Sequence, residues 1–327
     1  MANATVSRLG LVNNTGTNFD ELFLKVFSGE VLTSFTRNNI FNEQLHSVRT
    51  IASGKSASFP VLGTATAAYH SVGTPLVGAN QIKANEKIIT IDDLLISQAF
   101  VAQIDELKNH YDVRATYADE LGKALAKQYD INVAKVLANA SRTSTTLSGG
   151  NGGTVLTLAS GNTNSAAVTG DELAAAIYDI AQTFDERDIP TTDRFCVLPP
   201  AEYYKLAETA TRTVDTDFNP QGNGSFASGK IQQIAGIPVM MSNSVPQTNR
   251  SAVTGENNTY SGDDSKTIGL VFHKSAVGTV KLMDMKTEIS GSDYNLMYQG
   301  TLMIAKYLLG HGVLRPECAA TIKLSAS

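Results

Sequence analysis

Residues 51–78 read IASGKSASFPVLGTATAAYHSVGTPLVG. Small and polar residues alternate there with a thin scatter of apolar ones. Gly54, Lys55 and Ser56 match the last three residues of a phosphate-binding loop motif. Such a loop needs a glycine, four residues, then Gly-Lys-Ser or Gly-Lys-Thr, so that its N–H groups curl around phosphates between a buried strand and a helix. Counting back from Gly54 places Arg49 where the first glycine belongs. The residues that follow, Ala57, Phe59 and Val61, then Gly63 and Thr64, have the period of a strand. The stronger reading is therefore a pair of extended legs over 53–85, turned at Gly73, Pro75 and Gly78. At ~3.3 Å per residue, half of this stretch reaches roughly 50 Å when extended. Its large side chains are few: Phe59, Leu62, Tyr69, Leu76 and Ile82. A two-stranded hairpin with so little apolar surface is marginal by itself, and its open edges invite pairing with other chains. The expectation is an arm that pairs with another subunit. The alternative is a hairpin folded back over its own domain.

On the N-terminal side, Phe19, Leu22, Phe23, Val26 and Phe27 are spaced i, i+3, i+4, i+7 and i+8. That spacing makes one apolar helical stripe within 18–38, with Asn18 as N-cap and Asp20 and Glu21 in the first turn. Gly29 allows a bend. The stripe docks either on its own core or on a neighbour. On the C-terminal side, KIITI (87–91) reads as a short strand, and a helical region is expected after it. Asp112 then caps a long helix, DVRATYADELGKALAKQYDINVAKVLANAS. Its stripe is Ala118, Leu121, Leu125, Tyr129, Val133, Val136, Leu137 and Ala140, and its length is roughly 45 Å at ~1.5 Å per residue. A helix that long acts as a spine. Arg114, Asp119, Glu120, Lys123, Lys127 and Lys135 lie off the stripe, as a solvated face.

Residues 145–168 are rich in Gly, Asn and Ser, with one strand at 154–158, and read as a loop or boundary. An amphipathic helix follows at 171–185, with Leu173, Ile177, Ile180, Ala181 and Phe184 on one face. Next come a buried strand at 195–198 and a helix opened by Pro200. Cys196, inside that strand, reads as a buried structural thiol. The stretch IQQIAGIPVMM (231–241) reads as two strands joined at Ala235-Gly236, between polar loops at 214–229 and 242–265. Further strands are expected at 268–272, 279–289 and 319–324. For 298–309 the helix and strand periods both fit in part. The order of elements is that of an α+β chain whose N- and C-terminal parts share a sheet.

The whole chain bounds the function. Its 327 residues suffice for two domains or one elaborate one, and a 42% hydrophobic share fills a core. A net charge of −5 argues against a nucleic-acid reader built on clustered Lys and Arg. Two cysteines, Cys196 and Cys318, fit a reducing compartment. MANATVSRLG, the first ten residues, holds no apolar run of signal-peptide length. No stretch reaches ~18 consecutive apolar residues, so no membrane span is expected. His46, His70, His110, His273 and His311 are scattered without metal-ligand spacing. There is no Gly-x-Ser-x-Gly elbow. No catalytic, cofactor or metal residues are expected.

Six blocks carry a family resemblance: ELFLKVFSGEVLTSF (21–35), SVRTIASGKSASFPVLGTATAAY (47–69), EKIITIDDLL (86–95), NHYDVRATYADELGKALA (109–126), FHKSAVGTVKL (272–282) and YQGTLMIAKYLLGHGVLRPECAA (298–320). In this order they closely resemble the major capsid protein of short-tailed bacteriophages (podoviruses of the T-seven, autographivirus type). The likeness fails in the polar loops 145–168 and 212–264. The resemblance implies the phage major capsid fold of the Hong Kong ninety-seven type. Its parts would be an N-terminal arm (1–50), an extended β-hairpin loop (51–86), a peripheral domain with the spine helix (87–145 and 285–327) and an axial domain (146–284). It implies a major capsid protein that self-assembles into hexamers and pentamers of an icosahedral shell around double-stranded DNA. Partners would be further copies of itself, a scaffolding protein and a portal, with packaged DNA held without sequence-specific contacts. No cofactor, no membrane partner and no enzymatic activity are implied. The protein would reside in the virion and assemble in the host cytoplasm. Lys55, Phe59, Leu62, Tyr69, Phe23 and Phe27 are the expected inter-subunit contacts. Two alternatives stand beside this: a cellular nanocompartment (encapsulin-like) shell of the same fold, and a nucleotide-binding enzyme that uses Lys55.

Overall fold

The structure, a computed structural model, describes residues 41, 44–63, 65, 67–75, 78, 82–108, 114–147, 150–158, 168–209 and 233–325. The expected arm helix with Phe23 and Phe27, the Asp112 cap, and much of the polar loops around 145–168 and 212–232 lie outside the described residues. In chain order the strands and helices are β1 (Ser47–Thr50), β2 (Ser56–Leu62), β3 (Ala84–Thr90), β4 (Leu95–Ala102), α1 (Gln103–Lys108), α2 (Arg114–Arg142) and β5 (Thr154–Leu158). Then come α3 (Gly170–Glu186), β6 (Arg194–Leu198), α4 (Pro200–Thr209), β7 (Gln233–Ile234), β8 (Ile237–Met241), β9 (Asn249–Arg250) and β10 (Gly262–Asp263). The chain ends with β11 (Thr267–His273), β12 (Val277–Ile289), α5 (Ser292–Tyr298), β13 (Gly300–Val313) and β14 (Ala319–Leu324).

The chain divides into two compact units. The larger comprises Ile40–Asp92, Asp130–Leu282 and Gly310–Ser327. Its centre is a six-stranded sheet in the order β5-β14-β11-β6-β8-β7. β11 lies in the middle, antiparallel to both neighbours, with Val271 opposite Cys196 on one side and Ala320 on the other. All six residues from Thr267 to Phe272 are buried, Ile268, Leu270, Val271 and Phe272 among them. Such a run, apolar on both faces, marks a strand covered from both sides. On one face, Thr321 Oγ1 donates to Ser141 Oγ at 2.6 Å and seats the last turns of α2. The α2 stripe there, Val133, Val136, Leu137 and Ala140, is buried as its spacing predicts. α3 begins at a capping box: Thr169 Oγ1 accepts from Glu172 N–H, and Glu172 Oε2 accepts from Thr169 N–H at 2.9 Å. Its Leu173, Ile177, Ile180 and Phe184 are buried, at helical spacing. β7 and β8 turn at Ala235 (φ 51°) and Gly236 (φ 74°), the backbone a two-residue hairpin requires. β1 runs parallel to the first part of β12, Ser47 opposite Gly278, so residues from the two ends of the chain do share a sheet.

The smaller unit comprises, within the described residues, Asp93–Tyr129 and Met283–Leu309. Here β4 pairs antiparallel with β13, from Gly300 opposite Ala102 to Tyr307 opposite Leu95. This corrects one expectation. After residues 91–94, which are neither helix nor strand, Leu95–Ala102 is strand, and among the described residues before α2 only Gln103–Lys108 is helical. Pairing with β13, about 200 residues later, decides a segment whose local pattern is short and mixed. The same pairing resolves the stretch 298–309: Tyr298 ends α5, and from Gly300 onward the residues are strand. Thr301, Met303, Ala305, Tyr307 and Leu309 are buried in strict alternation, which is strand. Val101 and Met303 form a small core, with Tyr117 and Leu121 packed on it.

Candidate assembly surface

The stretch 51–90 is a hairpin. β2 and β3 pair antiparallel from Ser56 opposite Thr90 to Leu62 opposite Ala84. Gly63 N–H continues the ladder to Lys83 O at 2.8 Å, and Ile91 N–H closes its root on Lys55 O at 2.9 Å. Ser56 opens a strand, so no helix N-terminus stands behind Gly54-Lys55-Ser56 to receive a phosphate. The nucleotide reading of Lys55 fails on this geometry.

The two faces of the hairpin differ. Ala57, Val61 and Ile89 are buried, and Asn85 Nδ2 donates to Thr146 O at 2.6 Å. This face rests on its own subunit. Ile89 packs closely on two glycines: a Cβ on Gly312 would come within 2.8 Å of it and one on Gly278 within 3.1 Å. The other face carries Ser56, Ser58, Pro60 and Leu62, all exposed. Beyond Gly63, every described residue up to Glu86 is exposed.

The expected contact residues separate accordingly. Lys55 is exposed at the root. Phe59 is half-buried, with the Arg49 guanidinium 5.8 Å from its ring centroid, while Arg49 Nη1 donates to Ser58 O at 2.7 Å. Phe59 is thus engaged by its own subunit, at least on one side. Leu62 is 69% exposed and Tyr69 fully exposed. Phe23 and Phe27 lie outside the described residues. Val72, wholly exposed at the tip, and Ile88, 63% exposed on β3, belong with Leu62 and Tyr69. Ile88 was legible as the outward partner of buried Ile89. A second exposed apolar group lies in the smaller unit: Ile289, Leu296 and Met297, at and before α5. A seven-residue helix is too short to show a period, so sequence reasoning missed it.

Among the described residues no group of His, Cys, Asp or Glu could hold a metal ion. No helix there is long and apolar enough to cross a membrane. Cys196 and Cys318 are free and buried. Burial pushes the Cys196 thiol up to about 12 and raises that of Cys318 as well, so neither is a ready nucleophile.

A family model described as Gp10A-like major capsid protein matches residues 58–323. The chain belongs to this family. It is 34% identical to the major capsid protein of Escherichia phage T7, over 92% of this chain and 91% of that one. Among solved structures, the capsid of cyanophage P-SCSP1u superposes with a TM-score of 0.83 at 48% identity, covering both chains completely. The mature capsid of bacteriophage PhiM1 shares the fold, with a TM-score of 0.70 at 21% identity, over 98% of this chain and 97% of that one. The fold is thus the α+β phage capsid fold of the Hong Kong ninety-seven type, and this major capsid protein is a structural shell component, not an enzyme. The matches are to phage proteins and do not favour the nanocompartment alternative.

Proposed function

We propose that this chain builds the hexamers and pentamers of an icosahedral phage head around double-stranded DNA, and that the hairpin 51–86 of each subunit lies on the next. The observation that carries this reading is the exposure of the hairpin beyond Gly63, with Leu62, Tyr69, Val72 and Ile82 turned to solvent on a strand pair too thin to hold itself. Leu62 and Tyr69 are the anchors. Lys55 pairs with an acidic group across the boundary, Phe59 contributes its free side, and the arm 1–50 adds Phe23 and Phe27. In this scheme 87–145 with 285–327 is the peripheral domain and 146–284 the axial domain. A scaffolding protein and a portal direct assembly in the host cytoplasm, and the finished protein resides in the virion. A net charge of −5 gives packaged DNA little counterion-release attraction, as a container that must release its genome requires.

The test is a tip deletion. Gly63 and Lys83 already face each other across the ladder, so a two-residue Asn-Gly turn can replace 64–82. Shortening a loop costs little in closure entropy. The deleted subunit is expected to fold with unchanged circular dichroism and to stay small in sedimentation with scaffold present. Closed shells of normal size from the deleted chain would overturn the reading.

A further inference from the structure

The first leg of the hairpin is held at β2 by Arg49, whose Nη1 donates to Ser58 O at 2.7 Å. It reaches β2 through Ala52–Lys55, all exposed, with Gly54 at φ 119°. The second leg is held quite differently. Residues 256–264, ENNTYSGDD, lie in a polar stretch whose sequence carried no recognisable motif. On one side this segment grips three residues of α2 spaced i, i+4 and i+7. Lys135 pairs with Glu256 at 3.8 Å. Asn139 Nδ2 donates to Thr259 O at 2.9 Å and Ser261 O at 3.1 Å. Arg142 pairs with Asp264 at 2.6 Å and donates to Asp263 O. Arg250 closes on the other oxygen of Asp264, which is fully buried between the two guanidinium groups.

On its other side the segment grips the three residues where the hairpin re-enters the subunit. The Asn258 amide pairs with the backbone of Thr90 as a neighbouring strand would: Oδ1 accepts from Thr90 N–H at 3.1 Å and Nδ2 donates to Thr90 O at 2.6 Å. Asn257 Nδ2 donates to Ile91 O at 2.7 Å, and its N–H to Asp92 Oδ1 at 2.8 Å. Tyr260 OH donates to Asp92 Oδ2 at 2.5 Å and accepts from His311 N–H at 2.9 Å. One step before Thr90, Ile89 packs on its two glycines.

We infer that residues 256–264 are a bracket that ties the exit of the extended hairpin to the spine helix and so fixes the direction in which each subunit presents its hairpin before it meets a neighbour. Asn258 and Tyr260 are its positioning residues. The inference rests on the reading that the hairpin joins subunits, and it adds how the hairpin is aimed. A presented, pre-aimed arm loses less freedom on binding than a swinging one.

The experiment compares the native bracket with Asn258→Ala. Spin labels are placed at Glu86→Cys on the hairpin and Tyr178→Cys on α3, both exposed, while native Cys196 and Cys318 are buried. The expected result is a single narrow distance distribution with the bracket intact, at least twofold broader in Asn258→Ala, with circular dichroism unchanged. In assembly with scaffold, Asn258→Ala is expected to associate but to give at least tenfold fewer closed shells. Should Asn258→Ala fail to fold, Asn257→Ala, which removes the bond to Ile91 O, carries the same measurements. An unchanged distribution together with normal shells overturns the bracket, as does a distribution already broad in the native chain. The tip deletion separates the two ideas: closed shells from it sink the joining role and leave the distance result standing on its own.

Discussion

His311 is wholly buried in β13, with its Nδ1 2.8 Å from Thr279 Oγ1. Burial, and secondarily the proximity of His46, lowers its pKa from 6.5 to about 3. The folded subunit therefore keeps this ring neutral while the unfolded chain takes up a proton below about 6.5. Its contribution is fully present above 6.5 and is lost as pH falls from there towards about 3, at up to ~1.4 kcal/mol per unit. Urea midpoints of the unassembled subunit at pH 7, 5.5 and 4.5 are expected to fall, and less steeply in His311→Asn, though that variant is weaker at pH 7. Parallel pH dependence in the two proteins would show that His311 does not carry the acid sensitivity.

Two elements show how local chemistry and packing divide the work. α3 is specified at its start by Thr169 and Glu172, which satisfy two orphan N–H groups reciprocally. Thr169→Ala removes one of those caps, with an expected cost of ~1 kcal/mol. A melting temperature unchanged to within a degree would mean that buried Leu173 and Ile177 alone set the start of the helix. β4 lies at the other extreme. Its eight residues, LISQAFVA, announce neither helix nor strand firmly, and pairing with β13 makes the choice. The Ala235-Gly236 turn, by contrast, was legible from two residues, because the backbone there must take positive φ at both.

At the scale of the molecule, the exposed hairpin tip separates stability from assembly. Tyr69 touches water on all sides in the free subunit, so Tyr69→Asp should alter subunit stability by no more than ~0.5 kcal/mol. If it anchors a neighbour, the same change buries a charge at the boundary and should raise the protein concentration needed for assembly at least tenfold. Light scattering against concentration measures this, and an unchanged threshold removes Tyr69 from the interface. By itself the sequence determined the extended hairpin, the spine-helix stripe through Val133 and Leu137, the α3 helix, the buried β6 and β11 strands and the capsid family. Each of these is written in short-range period, turn chemistry or ordered blocks of residues. Only the tertiary structure decided that 95–102 is a strand, that Ile89 packs on Gly278 and Gly312, and that ENNTYSGDD is a bracket. The reason is separation along the chain. Asn258 meets Thr90 across 168 residues, and periodicity, which reports the faces of one segment, holds no information about which distant segment will cover them.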